Sequence, residues 1–277
     1  MKFSVEEKER LDKLCRQFRI DVIRTLHEHQ TGHPGGSLSV AEILTTLYFT
    51  QMRVDPASPQ KADRDRLVLC KGHAAPMLYR VLAEKGFFPV EEMRTLRSLN
   101  SRLQGHPNPL DTPGVDAATG PLGIGLPCAL GMALALRLNH ADSRVYAVLG
   151  DGEINEGIVW EALMAAVKFK VDNLCAVLDW NGVQLDGTTE AIMPMESIPA
   201  RFASFGWHCL ECDGHDVGQL YDAFETAKTV KGKPTIVLAH TVKGKGVSFM
   251  EGKNAWHGKA IDDASYEQAM KELGGAN

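Results

Sequence analysis

The stretch VYAVLGDGEINEGIVWEAL, residues 145–163, decides the fold. Five strand-forming residues, Val145 to Leu149, run into Gly150-Asp151-Gly152, and a helix-like segment follows at once. A short apolar run closed by glycine reads as a buried strand, and its handover to a helix is one step of a strand–helix–strand unit. Working outward, the same alternation recurs. Strands are expected at 66–70, 144–149, 174–179, 207–211 and 235–239. Helices are expected at 5–29, 40–50 (capped by Ser37 or Ser39), 75–84, 127–138, 153–169, 197–204, 216–229 and 264–273. The dense breaker cluster Thr31-Gly32-His33-Pro34-Gly35-Gly36 should stop the first helix, and residues 101–125 read as irregular. Strands separated by helices imply right-handed crossovers, hence an α/β fold: a mostly parallel sheet with helices on both faces, in one domain over residues 1–277.

The totals narrow the function. With 277 residues and 44% hydrophobic content the chain can bury a substantial core. A net charge of -5 supports no general attraction to nucleic acid or to an anionic membrane, so any anion must be held by a local site. The N-terminus MKFSVEEKERLDKLCRQ lacks the apolar core of a secretory signal, no run is long enough to span a membrane, and a cytoplasmic protein is expected. Of the six cysteines, Cys15, Cys70, Cys128 and Cys175 lie in apolar runs and read as buried free thiols. Cys209 and Cys212 form a CxxC with no second pair and read as two strand cysteines.

In a parallel sheet, ligands collect at the carboxyl ends of the strands. Asp151 follows one such end and Asn181 the next, so neighbouring strands would bring them within a few ångströms. A carboxylate, an amide oxygen and a nearby turn carbonyl form a hard-oxygen set for magnesium or calcium, with positions left open for a diphosphate. A helix starting near Gly152 would present free N–H groups and its positive dipole end to the same place. For Gly-Asp-Gly alone, a helix-capping aspartate is the simpler reading. Gly123-Ile124-Gly125 fails as a dinucleotide fingerprint, no P-loop occurs, and His27-Glu28-His29 reads as surface histidines.

The combination is more specific. GDG-EINEG is followed, after residues 153–179, by Trp180-Asn181, which is the spacing of the thiamine diphosphate motif. With it come TGHPGGSLS (31–39), KGHAAP (71–76), GHP (105–107), TGPLGIG (119–125) and HTVKGKG (240–246). Together these resemble the N-terminal, diphosphate-binding half of transketolase over roughly residues 10–260. The resemblance implies thiamine diphosphate and Mg2+ as cofactors, with Ca2+ or Mn2+ as substitutes. It implies metal ligation by Asp151, Asn181 and the carbonyl of Val183, and diphosphate contact from Gly152. Leu185 would pack on the thiazolium, and Gly120 and Leu122 would flank the aminopyrimidine. His73 and His257 would sit around the diphosphate and the reacting sugar, and His33 and His106 would bind the donor's hydroxyls. Glu156 and Glu161 match acidic residues at the contact between paired subunits.

Transketolase continues into a pyrimidine-binding and a C-terminal domain, for which this length leaves no room. The chain is therefore expected to be half an active site. Its expected partner is a C-terminal transketolase subunit, in a heterotetramer that transfers a two-carbon ketol unit from a ketose phosphate to an aldose phosphate. The alternatives are half of a specialised-sugar transketolase or of a deoxyxylulose phosphate synthase, an α-keto acid dehydrogenase subunit, and a non-catalytic thiamine diphosphate-binding module. The four histidines suit hydroxylated sugars and disfavour the keto acid reading.

Overall fold

Five strands of the computed structural model, which describes residues 3–275, form one wholly parallel sheet. They are β1 (Arg66–Leu69), β2 (Val145–Gly150), β3 (Leu174–Trp180), β4 (His208–Asp213) and β5 (Thr235–His240), in the order β1-β2-β3-β5-β4. The domain limits expected from the sequence extend to residues 1, 2, 276 and 277, which lie outside the described residues.

Alternate residues of each strand enter two separate cores. Leu67, Leu69, Tyr146, Val148, Cys175, Val177 and Val237 face one. That face is covered by α1 (Val5–His29), α3 (Ala41–Thr46), α4 (Ala75–Lys85), α9 (Val217–Thr229) and α10 (Asp263–Leu273). Val68, Val145, Ala147, Leu149, Leu174, Leu178 and Leu238 face the other, under α5 (Gly125–Leu138), α6 (Gly157–Lys168) and α8 (Ile198–Ser204). Both faces being covered explains why the strands read as continuous apolar runs rather than alternating ones.

Helix α1 forms as its pattern demands. Ser4 caps it by accepting from the Glu7 N–H at 3.1 Å, Leu11, Phe18, Val22, Ile23 and Leu26 bury one face, and Gln30 ends it at a left-handed φ of 49°. Two local expectations are corrected. The segment after the breaker cluster is not one helix over 40–50 with a serine cap: α2 (Pro34–Ser39) already begins at the proline, α3 follows a break at Val40, and a π-type turn spans Leu47–Gln51. Proline at the first helical position is pre-set for helix, so it starts α2 rather than preventing it. Ser37 and Ser39 turn inward instead, Ser37 donating to the His33 carbonyl and Ser39 to Asp179.

The segment after Gly-Asp-Gly is likewise not helical throughout 153–169. A 3-10 turn, Glu153–Asn155, intervenes before α6, so the α-helical dipole does not start at Gly152. The loop after β3 also holds one helical turn, α7 (Thr189–Ile192), where none is expected. Cys128 is exposed rather than buried, because it lies on the outer face of α5 beside Gly131. His27 is half-buried and stacks on Tyr266 of α10. No helix among the described residues is long and apolar enough to cross a membrane.

Candidate functional site

The carboxyl ends of β1, β2 and β3 converge on a cavity of about 270 Å³. In the register of β2 and β3, Gly150 pairs with Asp179. Asp151 and Asn181 therefore leave adjacent strand ends, as the sequence expectation required. Asp151 is 4% exposed and accepts from the N–H groups of Gly152 (2.9 Å) and Gly182 (2.5 Å). Asn181 Oδ1 accepts from the Val183 N–H at 3.1 Å, and the Val183 carbonyl accepts from Lys243 Nζ at 3.0 Å.

Two buried carboxylates at this edge have opposite environments. Burial alone would push Asp179 up, but the Lys71 ammonium bonded to it, with Thr241 and Ser39, holds its carboxyl below the ordinary range. Asp151 is next to that negative charge and has no cation bonded to it; burial, reinforced by Asp179, raises it to about 6. Glu153 is raised to about 7 by burial, although the N–H groups of Gly123 (2.8 Å) and Gly150 (3.2 Å) bind it.

The four histidines come from four separate segments and gather at one place. His33 follows α1, His73 lies between β1 and α4, His106 lies in the long irregular stretch, and His257 follows the 3-10 turn Asn254–Trp256. Ring centroids are 5.4 Å apart for His33 and His73, 6.3 Å for His33 and His106, and 4.9 Å for His73 and His257. Burial pushes His33 down to about 4, with the charges of Arg97, His106 and Lys243 adding to it. Burial, then Lys243, takes His257 to about 3, and burial with Lys71 holds His73 well below its usual value. At neutral pH these imidazoles are uncharged, each with one donor and one acceptor, which suits gripping hydroxyls.

The remaining expected residues surround this centre. Gly152, Leu122, Leu185 and Glu156 line the cavity, and the two leucines are exposed, at 39% and 57%. Gly120 faces His106, whose Cγ would lie 3.5 Å from a Cβ placed on the glycine. Glu161 is exposed on α6 and does not line the cavity.

Several site residues escaped the sequence reading. Lys71 and Lys243 sit inside quoted motifs, but only the fold reveals that both ammonium groups are buried here. Lys243 Nζ also bonds His257 Nδ1 at 2.8 Å, and burial followed by the Lys71 charge lowers it to about 8. Glu153, Asn155 and Gln184 were missed as well. Among the described residues, Asn155 Oδ1, Gln184 Nε2 and His33 Nδ1 are buried without a hydrogen-bond partner. Of these, Asn155 and Gln184 line the cavity, and buried polar atoms normally find partners, which a polar ligand there would supply. Gly36 gives room beside it: a Cβ there would stand 3.1 Å from His73 Nε2. These features fit a metal–diphosphate group. The uncompensated Asp151 carboxylate and the Asn181 and Val183 oxygens would meet the cation, and Lys243 would meet the anion. Among the described residues no cluster of three His, Cys, Asp or Glu side chains could hold a metal, so such a site depends on amide and carbonyl oxygens.

Comparison with known proteins agrees in direction. Residues 10–277 match the family described as transketolase, thiamine diphosphate binding domain. The chain is 43% identical over 262 residues to the 6-deoxy-6-sulfo-D-fructose transketolase subunit of a Clostridium species, covering 93% of this chain and 95% of that one. It is 40% identical over 265 residues to an apulose-4-phosphate transketolase subunit of Phocaeicola vulgatus, covering 96% and 94%. Among solved structures, transketolase of Pichia stipitis superposes with a TM-score of 0.90 at 32% identity, covering 96% of this chain but 41% of that one. The chain thus spans about two fifths of the length of that transketolase.

Proposed function

The chain belongs to the transketolase thiamine diphosphate-binding domain family, and from that premise we propose that it is the diphosphate-binding subunit of a two-polypeptide transketolase. With a partner subunit supplying pyrimidine-binding and C-terminal domains, it would transfer a two-carbon ketol unit from a ketose phosphate to an aldose phosphate. The observation that supports this reading is the cluster of His33, His73, His106 and His257, of which His73 and His257 line the cavity with Asp151 and Asn181.

When bound, thiamine diphosphate supplies the nucleophile and electron sink for cleaving the sugar's C–C bond. The protein's residues hold and orient. Asp151, Asn181 and the Val183 carbonyl would hold Mg2+, with Ca2+ or Mn2+ as substitutes, and Gly152 and Lys243 would meet the diphosphate. Leu185 and Leu122, with Gly120, offer surface to the two rings. His33 and His106 bind the donor's hydroxyls, and His73 and His257, neutral at physiological pH, offer ring nitrogens as hydrogen-bond partners near the breaking bond. Glu161 is exposed on α6 with Ile158 and Met164, and Glu156 precedes that helix as its N-cap, together a surface suited to the partner in a heterotetramer. A specialised sugar is favoured as donor or acceptor, because two relatives similar along nearly their whole length are named for 6-deoxy-6-sulfofructose and apulose 4-phosphate.

Mixing the chain with its partner subunit, thiamine diphosphate and magnesium should give ketol transfer, and Asp151→Asn should abolish it. A mixture inactive on every ketose donor, or a fully active Asp151→Asn variant, would overturn the reading.

A further inference from the structure

A hollow of about 480 Å³ opens at the amino ends of the strands, the opposite sheet edge from the Asp151 cavity. Gln51 of the π-type turn, Arg144 and Tyr146 at the start of β2, Asn173 just before β3 and Lys231 between α9 and β5 all line it. Four of their polar atoms are buried with no hydrogen-bond partner among the described residues: Gln51 Oε1, Arg144 Nε, Tyr146 Oη and Asn173 Oδ1. Gln51 is 6% exposed and Tyr146 1%. The neighbouring polar atoms of these side chains are engaged, which fixes what is left over. Asn173 Nδ2 donates to the carbonyls of Ala133 (3.0 Å) and Ser143 (3.3 Å), so its oxygen is the unpaired end. Gln51 Nε2 donates to Thr50 Oγ1 at 3.2 Å. Arg144 Nη2 donates to the carbonyls of Asp172 and Ala227, leaving Nε unused. Unpaired buried polar groups cost stability, and a cluster of them lining one hollow calls for a polar occupant.

The surrounding charges set its sign. Five of the lining side chains are cationic and three acidic. Two of the acids are already held: Asp65 accepts from the N–H groups of Arg53 (2.7 Å) and Arg144 (2.8 Å), and Asp172 from the Gly232 N–H (2.9 Å). The Arg53 guanidinium meets Asp65 and Asp142 only at 3.6 and 3.7 Å, too far for hydrogen bonds. Lys231 has no carboxylate partner among the described residues. An anion would satisfy both cations. A bare anion, however, brings acceptors and not the donors that the Gln51 and Asn173 oxygens need; hydroxyl groups supply those.

We propose that this hollow is a second ligand site, for a small hydroxylated phosphate ester: a sugar monophosphate, free or as part of a nucleotide. Its phosphate meets Arg53, Lys231 and the unused Arg144 and Tyr146 donors, and its hydroxyls donate to Gln51 and Asn173. The ligand takes no part in ketol transfer, whose candidate residues gather at the carboxyl ends of the strands.

The test is calorimetric titration of the full chain, loaded with thiamine diphosphate and magnesium, with ribose 5-phosphate, adenosine 5′-monophosphate, inorganic phosphate and ribose. At least one ester should bind saturably and about tenfold or more tighter than phosphate or ribose alone, and the two ester arms show which source is preferred. The exposed change Lys231→Ala and the hydroxyl deletion Tyr146→Phe should each weaken that binding about fivefold. In the same titration the side-chain amide resonances of Gln51 and Asn173 should shift, which separates this site from occupancy of the Asp151 cavity. Esters that bind no tighter than phosphate, variants that bind them as wild type does, or amide resonances that stay in place would defeat the proposal, the hollow then holding water only.

Discussion

The two ends of the sheet each carry a charged hollow, and the larger one is at the wrong end for chemistry. At the amino ends, about 480 Å³ is lined by residues that include Arg53, Asp65, Arg137, Arg144 and Lys228. There the charges find partners nearby: Arg53 with Asp65 and Asp142, Arg137 with the Phe169 and Lys170 carbonyls, Arg144 with the Asp172 and Ala227 carbonyls, and Lys228 with Glu225. The carboxyl-end cavity, about 270 Å³, holds groups displaced from their ordinary ionisation: Asp151 raised to about 6, Glu153 to about 7, Lys243 lowered to about 8. Size does not locate a site. Buried ionisable groups displaced from their ordinary state point to it better, because holding them costs stability that a ligand's charge can offset.

The largest effect expected from breaking this contrast is at Lys71. Lys71→Met strands the Asp179 carboxylate, which is 0% exposed, and should cost about 3–5 kcal/mol in chemical denaturation. A loss below about 1 kcal/mol would mean that Asp179 is not held by this pair.

Asp151→Asn should separate function from stability. Metal-dependent binding of thiamine diphosphate, followed by calorimetry, should weaken at least tenfold. Yet the cofactor-free variant should be more stable than wild type at pH 8, by about 3 kcal/mol. The sign follows from a folded carboxyl that titrates near 6 instead of 3.8: its stabilising contribution is complete below pH 4 and is lost as pH rises through 6. Equal stability of the two proteins at pH 8 would refute the uncompensated charge.

The histidines titrate with the opposite sign. His33 and His257 are depressed to about 4 and about 3, so their contribution is present above pH 6.5 and lost as pH falls toward 4. His257→Asn should flatten the acid limb of the urea midpoint plotted against pH. An unchanged limb would place His257 outside the buried cluster.

The smallest effect is expected at the amino end. Lys228→Ala removes one partly exposed pair and should change stability by about 0.5 kcal/mol or less, with ketol transfer by the reconstituted enzyme unaltered. A clear loss of transfer would show that the amino-end hollow takes part in function.

What the sequence determined by itself was everything carried by short-range order. Periodicity placed α1 at its observed limits and gave all five strands to within a few residues, because a buried stripe or run is written in consecutive positions. The spacing from Asp151 to Asn181, with four histidine motifs, carried the family resemblance that named the candidate ligand residues; Asp151, Asn181, Val183, His73 and His257 share one cavity, with the rings of His33 and His106 nearby. Pro34 misled because the same residue breaks a helix from within and starts one from its first turn. Tertiary structure alone decided that β5 inserts between β3 and β4, and that Lys71 meets Asp179 over 108 positions of chain. It also decided which charges lack a partner. Pairing and burial depend on contacts between distant segments, and no local pattern records whether a lysine in a glycine-rich turn ends in water or beneath a carboxylate.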